Sequence, residues 1–467
     1  MTGNISTTAF RWPELLRKGA RVHIAGVAGV GMNPLAQALA ACGCTVSGSD
    51  RFLDQGSELP VLRQLRAAGI ALLPQDGSGV TAGTALLAVS TAIEPSNPDI
   101  AAAQRLGIPV AHRSEVLAAL TRRGRCIGVA GTSGKTTTTG MTGWILDHAG
   151  LRPNVVNGGV ILNWAGPDTI GNVRISGGDL WVVETDESDR SLLNFSPEAA
   201  ILTTVTADHF PLPETIDLFN AFIDRVSGPV ICGPGVKAVL GRADERLVEP
   251  AFDLRRGDGG WTIAWDGVEI SLPLPGRHNA IDAVCAAALA RAYGVDAAGV
   301  KAALEAFRGI DRRLTPAHAP GAAMRVYDDY GHNPEKIAAA WEAVQATVPG
   351  RVWGVWRPHG YGPLAATAAD LVEALAARVK PGERVFILPV FYAGGTANRK
   401  MESEDLVRML VERGVPAEWV PDYETLAARL TELSLAGDAI LIMGARDPRL
   451  PVFAREMANW DRRLPGG

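Results

Sequence analysis

Short apolar runs, each stopping at a glycine turn or a polar cluster and each followed by a helix-length stretch, recur along the chain in three blocks. In the first, Arg21-Val-His-Ile-Ala-Gly26 predicts a strand, Asn33 to Ala41 a helix and Thr45-Val-Ser-Gly-Ser-Asp50 a second strand; further strands fall at Thr84 to Ser90 and Ile108 to His112. The second block, about Cys126 to Arg313, has a strand at Cys126 to Ala130 and two more that end in polar tips. Asp179-Leu-Trp-Val-Val-Glu184 runs into Thr185-Asp186-Glu187-Ser188-Asp189, and Ala199 to Thr204 runs on to Ala207-Asp208-His209. The third alternates most regularly: strands at Met324–Tyr327, Arg351–Trp356, Arg384–Val390, Ala417–Val420 and Asp438–Met443 are separated by helices at Pro334–Thr347, Ala365–Val379, Ser403–Arg413 and Thr425–Leu435. Such alternation predicts doubly wound parallel sheets with short connections. The basic run Arg122-Arg-Gly-Arg125 is read as a linker between the first two blocks.

The strand at Cys126 opens into Gly128-Val-Ala-Gly131-Thr132-Ser133-Gly134-Lys135-Thr136-Thr137-Thr-Thr139. A strand, a glycine turn and Lys-Thr at the start of a helix form a cradle for polyphosphate. Glycines let backbone N–H groups close on phosphate oxygens, Lys135 supplies a point charge, and the Thr136 hydroxyl is placed to ligate Mg²⁺. Val129 stands where the longer G-x-x-x-x-G-K-[ST] pattern wants glycine, so this is the shorter G-T-x-G-K-T loop. In an open parallel sheet, ligands bind beyond the carboxyl ends of strands, which makes Glu184 and His209 candidates for positioning Mg²⁺. A second glycine turn, Gly26-Val-Ala-Gly29-Val30-Gly31, with Asp50 about 20 residues on, resembles a dinucleotide fingerprint, but Pro34 occupies the place of its last glycine. The turns Tyr392-Ala-Gly-Gly395 and Met443-Gly-Ala-Arg446-Asp447 sit at strand ends of the third block, where substrate contacts are expected.

With 467 residues the chain exceeds what one core usually serves, at about 150 residues per domain. A net charge of −5 gives no electrostatic reason to expect nucleic acid or an anionic membrane. No run approaches a membrane span, and Met1 to Arg17 lacks a signal-peptide layout, so a cytoplasmic protein is expected. The five cysteines, Cys42, Cys44, Cys126, Cys232 and Cys285, form no C-x-x-C pair and read as buried small hydrophobes.

The order of these pieces resembles the Mur ligases of peptidoglycan synthesis, most closely their alanine-adding members, over nearly the whole chain. The resemblance rests on Gly26 to Met32 with Val46 to Asp50, on Gly131 to Thr139, Glu184 to Asp189, Ala207-Asp-His209 and Pro275-Gly-Arg-His278-Asn279. Asp311-Arg312-Arg313 and Tyr327-Asp-Asp329-Tyr-Gly-His332-Asn-Pro334 complete it. It implies an α/β protein of three domains: an N-terminal Rossmann-like UDP-sugar domain (1–122), a central P-loop ATPase-like mixed-sheet domain (123–313) and a C-terminal Rossmann-like domain (314–467). The implied reaction is ATP-driven amide formation, through an acyl phosphate, between a UDP-sugar acid, UDP-N-acetylmuramate in the first instance, and an amino acid such as L-alanine. Lys135, Glu184 and His209 would be catalytic, with Thr136, Glu184 and His209 about Mg²⁺.

Gly131, Thr132, Ser133, Gly134, Lys135, Thr136 and Thr137 would hold the phosphates, His278 and Asn279 the adenine side, Arg312 the ATP phosphates and Asp329 the ribose. Gly29, Val30, Gly31, Asp50, Ser90, Asp186, His332 and His359 would fall on the substrate side. Partners are then small molecules, with the chain a monomer or weak homodimer. There are departures from the family pattern. Ser133 stands at a usual histidine, Asn333 replaces another, and in Trp356-Arg-Pro-His-Gly-Tyr-Gly-Pro363 glycine and proline occupy Gly360 and Pro363, where the alanine-adding members carry arginines. An amino-acid carboxylate needs a cation or a set of N–H donors, so either Arg357, Arg399 or Lys400 substitutes or the amine differs. A tripeptide-recycling ligase, a nicotinamide-dependent oxidoreductase and a non-catalytic nucleotide-binding regulator stay open as alternatives.

Overall fold

The computed structural model describes residues 15–57, 59–257, 260–319, 321–392 and 399–460. It divides into two compact units, one made of residues 1–253, 263–270 and 281–308, the other of 254–262, 271–280 and 309–467.

The first unit holds two sheets. Strands β1 (Arg21–Ala25), β2 (Thr45–Ser49), β3 (Ala71–Leu73), β4 (Leu86–Val89) and β5 (Val110–His112) form a parallel sheet of order β3-β2-β1-β4-β5. The strand order reverses at β1 and β4, which puts a topological switch point at the Gly26 turn. The central sheet contains β6 (Arg125–Ala130), β7 (Asn154–Val156), β8 (Val173–Ile175), β9 (Leu180–Glu184), β10 (Ala199–Leu202), β11 (Val230–Cys232) and β12 (Leu247–Val248), ordered β12-β11-β10-β6-β9-β7-β8. Only the β7–β8 pair in it is antiparallel. Strand β6 is flanked on both sides and buried from Cys126 to Ala130, hence its uninterrupted apolar sequence.

The run Arg122–Arg125, read as a linker between the first two blocks, joins the two sheets by a short path. It is a tight turn between the helix Arg113–Thr121 and β6, in which the Arg123 guanidinium donates to the Leu16 carbonyl and Arg125 pairs with Asp179 at 3.1 Å. The two sheets share one apolar core: Leu35, Leu39, Val116 and Leu120 pack in a cluster with Cys126, Trp181, Val183 and Phe195. A buried amide chain joins them as well. Gln37 donates to Asn172 at 3.0 Å, and Asn172 donates to Asn33 at 2.7 Å.

After β13 (Asp253–Gly257), β14 (Gly260–Trp265) and β15 (Val268–Leu272), which form a three-stranded sheet, the second unit carries β16 (Thr315–Pro316), β17 (Arg325–Asp329), β18 (Val352–Trp356), β19 (Arg384–Ile387), β20 (Ala417–Trp419) and β21 (Ala439–Met443). Their order is β16-β17-β21-β18-β19-β20, parallel apart from the short β16 edge. Helices cover both faces. Trp341, Leu364 and Leu371 belong to one core cluster and Trp353, Phe386 and Phe453 to another, and each such side chain contributes about 1.5–3 kcal/mol by its burial. Gly354 makes the first face possible, because a Cβ there would stand 1.9 Å from the Trp341 ring.

Every strand and helix expected in the third block is present, with shifts of a few residues at the ends. Elements not expected include the helices Pro60–Ala67, Pro98–Leu106, Arg113–Thr121, Leu212–Ile223, Ala297–Glu305 and Leu450–Trp460, and strands β3, β7, β8, β11, β12 and β13–β16. The turn expected at Tyr392 to Gly395 lies, beyond Tyr392, outside the described residues. The cysteines are unpaired, four buried and Cys42 half-buried. Among the described residues no helix is long and apolar enough to cross a membrane.

Candidate active site

In the central sheet β6 lies between β10 and β9, so the Gly131 turn, the segment after Leu202 and the tip of β9 emerge side by side. Gly131 has φ +133° and a Cβ there would fall 2.1 Å from the Thr203 hydroxyl, so the loop can lie on β10 only with glycine at this position. Threonines of the neighbouring segment fix its shape. The Thr132 N–H donates to the Thr204 carbonyl at 3.1 Å, the Ser133 N–H to the Thr204 hydroxyl at 2.9 Å, and the Thr132 hydroxyl bonds those of Thr204 and Thr206 at 3.0 and 2.9 Å. Gly134, in a left-handed conformation at φ +84°, starts the helix Lys135–His148, whose first N–H groups have no acceptor within the helix.

Lys135 curls back over this turn. Its ammonium donates to the Gly131 carbonyl at 2.8 Å and to the Glu187 carboxylate at 2.6 Å. Burial would pull the ammonium below its ordinary value, but the charges of Glu187, Asp186 and Glu184 outweigh that and hold it above. Glu187, with a side chain only 2% exposed, is pushed above the usual carboxylate value by burial, with Lys135 opposing. Burial acts the same way on Asp186, yet Lys135, the Ser188 N–H and Arg113 together bring it below the usual value.

Glu184 closes the site from the β9 side. It accepts from the Thr136 hydroxyl at 3.0 Å and from the Gly158 N–H at 2.8 Å. His209 is half exposed, with Nε2 4.0 Å from Asp208. Among the described residues no three His, Cys, Asp or Glu side chains converge as a ready metal site.

At the N-terminal switch point, Asp50 accepts from the Ala28 and Phe52 N–H groups, both at 3.0 Å, and so clamps the glycine turn onto the short helix Arg51–Asp54. Val30 is exposed, and Gly31 has the Arg113 guanidinium against it, 3.3 Å from where a Cβ would be. Arg113 reaches Asp186 at 3.4 Å and Asp189 at 3.8 Å, which ties this turn to the acidic loop after β9. Ser90 follows β4, half-buried.

In the second unit Asn279 is buried and donates to the Pro275 carbonyl at 2.7 Å, while His278 is exposed over Gly276 and lines a cleft of about 1320 Å³. Asp329 accepts from the Leu314 and Gly331 N–H groups at 2.8 and 2.7 Å. Arg312 donates to the Ala445 carbonyl at 3.0 Å, to the Gly444 carbonyl and to Asp328. Here both act as pins of the strand ends. His332 and His359 come together, with ring centroids 5.3 Å apart and planes at 88°.

Of the cations named for the amine, Arg357 is engaged by Asp447, Tyr423 and the Pro389 carbonyl. Arg399 lies over the Tyr361 and Tyr392 rings at 5.2 and 5.9 Å. Lys400 is exposed.

Several residues of these sites were not singled out from the sequence. Glu187 was visible in the acidic run but not as the partner of Lys135. Thr204 and Thr206 had only their position after a strand to mark them. Asp282, whose carboxylate stands 2.6 Å from where a Gly134 Cβ would be, follows three residues after Asn279.

The glycine loop leaving a central parallel strand and opening a helix with Lys-Thr defines a P-loop nucleotide-binding protein. Three family profiles match: Mur ligase family, catalytic domain, at residues 21–125; Mur ligase middle domain at 129–217; and Mur ligase, glutamate ligase domain, at 312–446. A UDP-N-acetylmuramate–L-alanine ligase of Nitrobacter winogradskyi is 34% identical, the match covering 97% of this chain and 98% of that one. Among solved structures, a UDP-N-acetylmuramate-alanine ligase from Thermotoga maritima shares the fold with a TM-score of 0.75 at 23% identity, covering 95% of this chain and 99% of that one. A murein peptide ligase from Psychrobacter arcticus does so at 0.66 and 21%, covering 96% and 100%. The chain belongs to the Mur ligase family, a family of ligases with three α/β domains.

Proposed function

We propose that this protein joins the carboxylate of UDP-N-acetylmuramate to L-alanine in the cytoplasm, at the expense of ATP, in the synthesis of peptidoglycan precursors. The observation that carries the reading is the loop Gly131–Thr136 with Lys135 held by Glu187 and Thr136 held by Glu184, in a chain that matches alanine-adding relatives from end to end.

A carboxylate is a poor electrophile because its charge is delocalised and oxide leaves badly. Its oxygen attacks the γ-phosphorus of ATP, ADP leaves, and the acyl phosphate so formed is attacked by the amine nitrogen. Phosphate then leaves and the nitrogen loses a proton. Lys135 keeps its charge at neutral pH and offers it to the phosphoryl oxygens, where charge is redistributed in the transition state. Glu187 limits where that ammonium can go, and the first turn of the helix Lys135–His148 directs N–H groups to the same place. The Thr136 hydroxyl and Glu184 carboxylate, hard oxygens in contact at the loop, fit Mg²⁺, which commonly takes one or two protein oxygens plus phosphate. When bound there the ion would neutralise phosphate charge. His209 is the candidate to orient the sugar-acid side.

Purified protein with ATP, Mg²⁺ and UDP-N-acetylmuramate, scored for phosphate release and product mass against a panel of amines, tests this. ADP and phosphate should appear only when both the sugar acid and an amine are present. AMP release, or no turnover with any amine, would sink the reading. The panel should include a tripeptide, because no cation stands at Gly360 or Pro363 where the helix Tyr361–Ala376 begins.

A further inference from the structure

The second unit concentrates polar side chains at one point of its sheet edge. Strand β21 lies between β17 and β18, and the register aligns both Asp329 and Trp356 with Met443. Three residues beyond these aligned positions stand His332, His359 and Arg446, one from each of three adjacent strand ends. This is where the strand order reverses, the usual place for a ligand in a doubly wound sheet.

The described residues around it leave Arg446 uncommitted. On one side of it the Ala445 carbonyl accepts from Arg312 at 3.0 Å; on the other, the buried Asp447 binds Arg357 and the Tyr423 hydroxyl. The backbone that carries Arg446 is therefore fixed from both sides, while its own side chain is exposed and makes no hydrogen bond or ion pair among the described residues. Other cations of this edge differ: Arg313 lies over the Tyr330 ring at 5.4 Å, and both it and Lys336 have partners of their own. Arg312 and Arg357 each have two or more acceptors, and Arg399 lies over the Tyr361 and Tyr392 rings.

On the two strand ends that flank that of Arg446, the His332 and His359 imidazoles are in edge-to-face contact, with Tyr330 5.6 Å beyond His332. The Nδ1 of His359 is buried without a hydrogen-bond partner, an arrangement that a ligand N–H or carboxylic oxygen, not a core, completes. Burial, reinforced by the Arg446 charge, holds His359 down to about 4, and burial together with Lys336 does the same to His332. Both rings are neutral at pH 7, so the guanidinium is the one cation of this trio.

Resting on the ligase reading above, we infer that Arg446 is the residue that receives the α-carboxylate of the incoming amino acid, with His332 and His359 as the hydrogen-bonding wall of the same subsite. It takes the place left by Gly360 and Pro363. A guanidinium fork matches a carboxylate with two parallel N–H bonds, which an ammonium cannot reproduce. The residue would thereby select an amino acid over a plain amine.

The test is steady-state kinetics of the full chain, Arg446→Ala, Arg446→Lys and Arg399→Ala, with L-alanine and with L-alaninamide, which keeps the amine but lacks the charged carboxylate. If the wild type prefers another amine from the panel, that amine and its amide form the matched pair. Arg446→Ala should raise KM for the amino acid about 50-fold, the range for losing a charged pair of hydrogen bonds. KM for ATP, KM for UDP-N-acetylmuramate and KM for the amide should each stay within about two-fold, so that discrimination between acid and amide collapses. Arg446→Lys should fall between, at about ten-fold. An unchanged KM for the amino acid, an equal rise for acid and amide, or a shift appearing in Arg399→Ala instead would overturn the assignment while leaving the ligase reading intact. A wild type inactive with every amine would overturn both. Because Arg446 is exposed and unbonded, melting temperatures of its variants should equal the wild type's.

Discussion

Removing Lys135 separates two roles that its position combines. The Lys135 and Glu187 side chains are 14% and 2% exposed and 2.6 Å apart, so Lys135→Ala leaves a carboxylate buried without its partner. Breaking such a pair on one side commonly costs about 3–5 kcal/mol. Glu187 has an escape, since it can take up a proton, and at pH 7 this requires about 3.5 kcal/mol for an ordinary carboxylate. Burial already places its pKa above the ordinary value, so the loss at pH 7 should be about 2–3 kcal/mol. The sign with pH follows. A carboxyl whose folded pKa is raised destabilises the fold only when ionised, so the deficit of Lys135→Ala should shrink to under about 1 kcal/mol near pH 5 and grow as pH rises through the raised pKa. The double variant Lys135→Ala with Glu187→Gln should regain most of the stability at pH 7 and remain inactive. Scanning calorimetry at pH 5, 7 and 8.5, with phosphate-release assays alongside, reads both roles. A deficit independent of pH, or no rescue by Glu187→Gln, would refute the account of the pair.

Three further outcomes follow from the packing. Gly354→Ala would put a methyl 1.9 Å from the fully buried Trp341 ring and should destabilise the second unit by about 3 kcal/mol, the upper end for overpacking, measured by calorimetry. Asn172→Ala removes the acceptor of the Gln37 amide and the donor to Asn33 and should lower stability by about 2 kcal/mol, seen as a shifted urea midpoint with activity retained in the folded fraction. Asp328 is pushed up to about 6 by burial, with Arg312 opposing and Asp311 and Asp329 adding to it. Its raised value means that stability falls between pH 4 and 6 and is flat above, by about 2–3 kcal/mol. Asp328→Asn should remove that slope in urea melts at pH 4, 6 and 8.

The strands and helices from β17 to β21 were legible because the helices are amphipathic and strands such as β18 and β21, buried throughout, are continuous apolar runs. In the first unit the same reasoning missed the helix Arg113–Thr121, since Ser114, Thr121 and nearly everything between them is buried and no polar face marks the period. The helix Pro98–Leu106 carried a readable signal, Asn97 capping the Asp99 N–H ahead of a proline. The hairpin of β14 and β15 carried another: Asp266-Gly267, at φ +47° and +78°, is the two-residue turn that joins alternating strands.

By itself the sequence determined the phosphate loop, the order of its motifs and the alternation of elements, because these depend on local backbone preference and on spacing along the chain. What Lys135, Asp50 and Arg312 actually hold was decided only by tertiary structure: a carboxylate 52 residues on, two backbone N–H groups, and the carbonyls of a strand end more than a hundred residues away. The same is true of Arg446. In the sequence it is one arginine in a glycine turn, and only the register that sets Met443 between Asp329 and Trp356 puts its strand end between those that carry the two histidines. Charge pairing depends on distance in space, and that distance is set by sheet order, which no local pattern encodes.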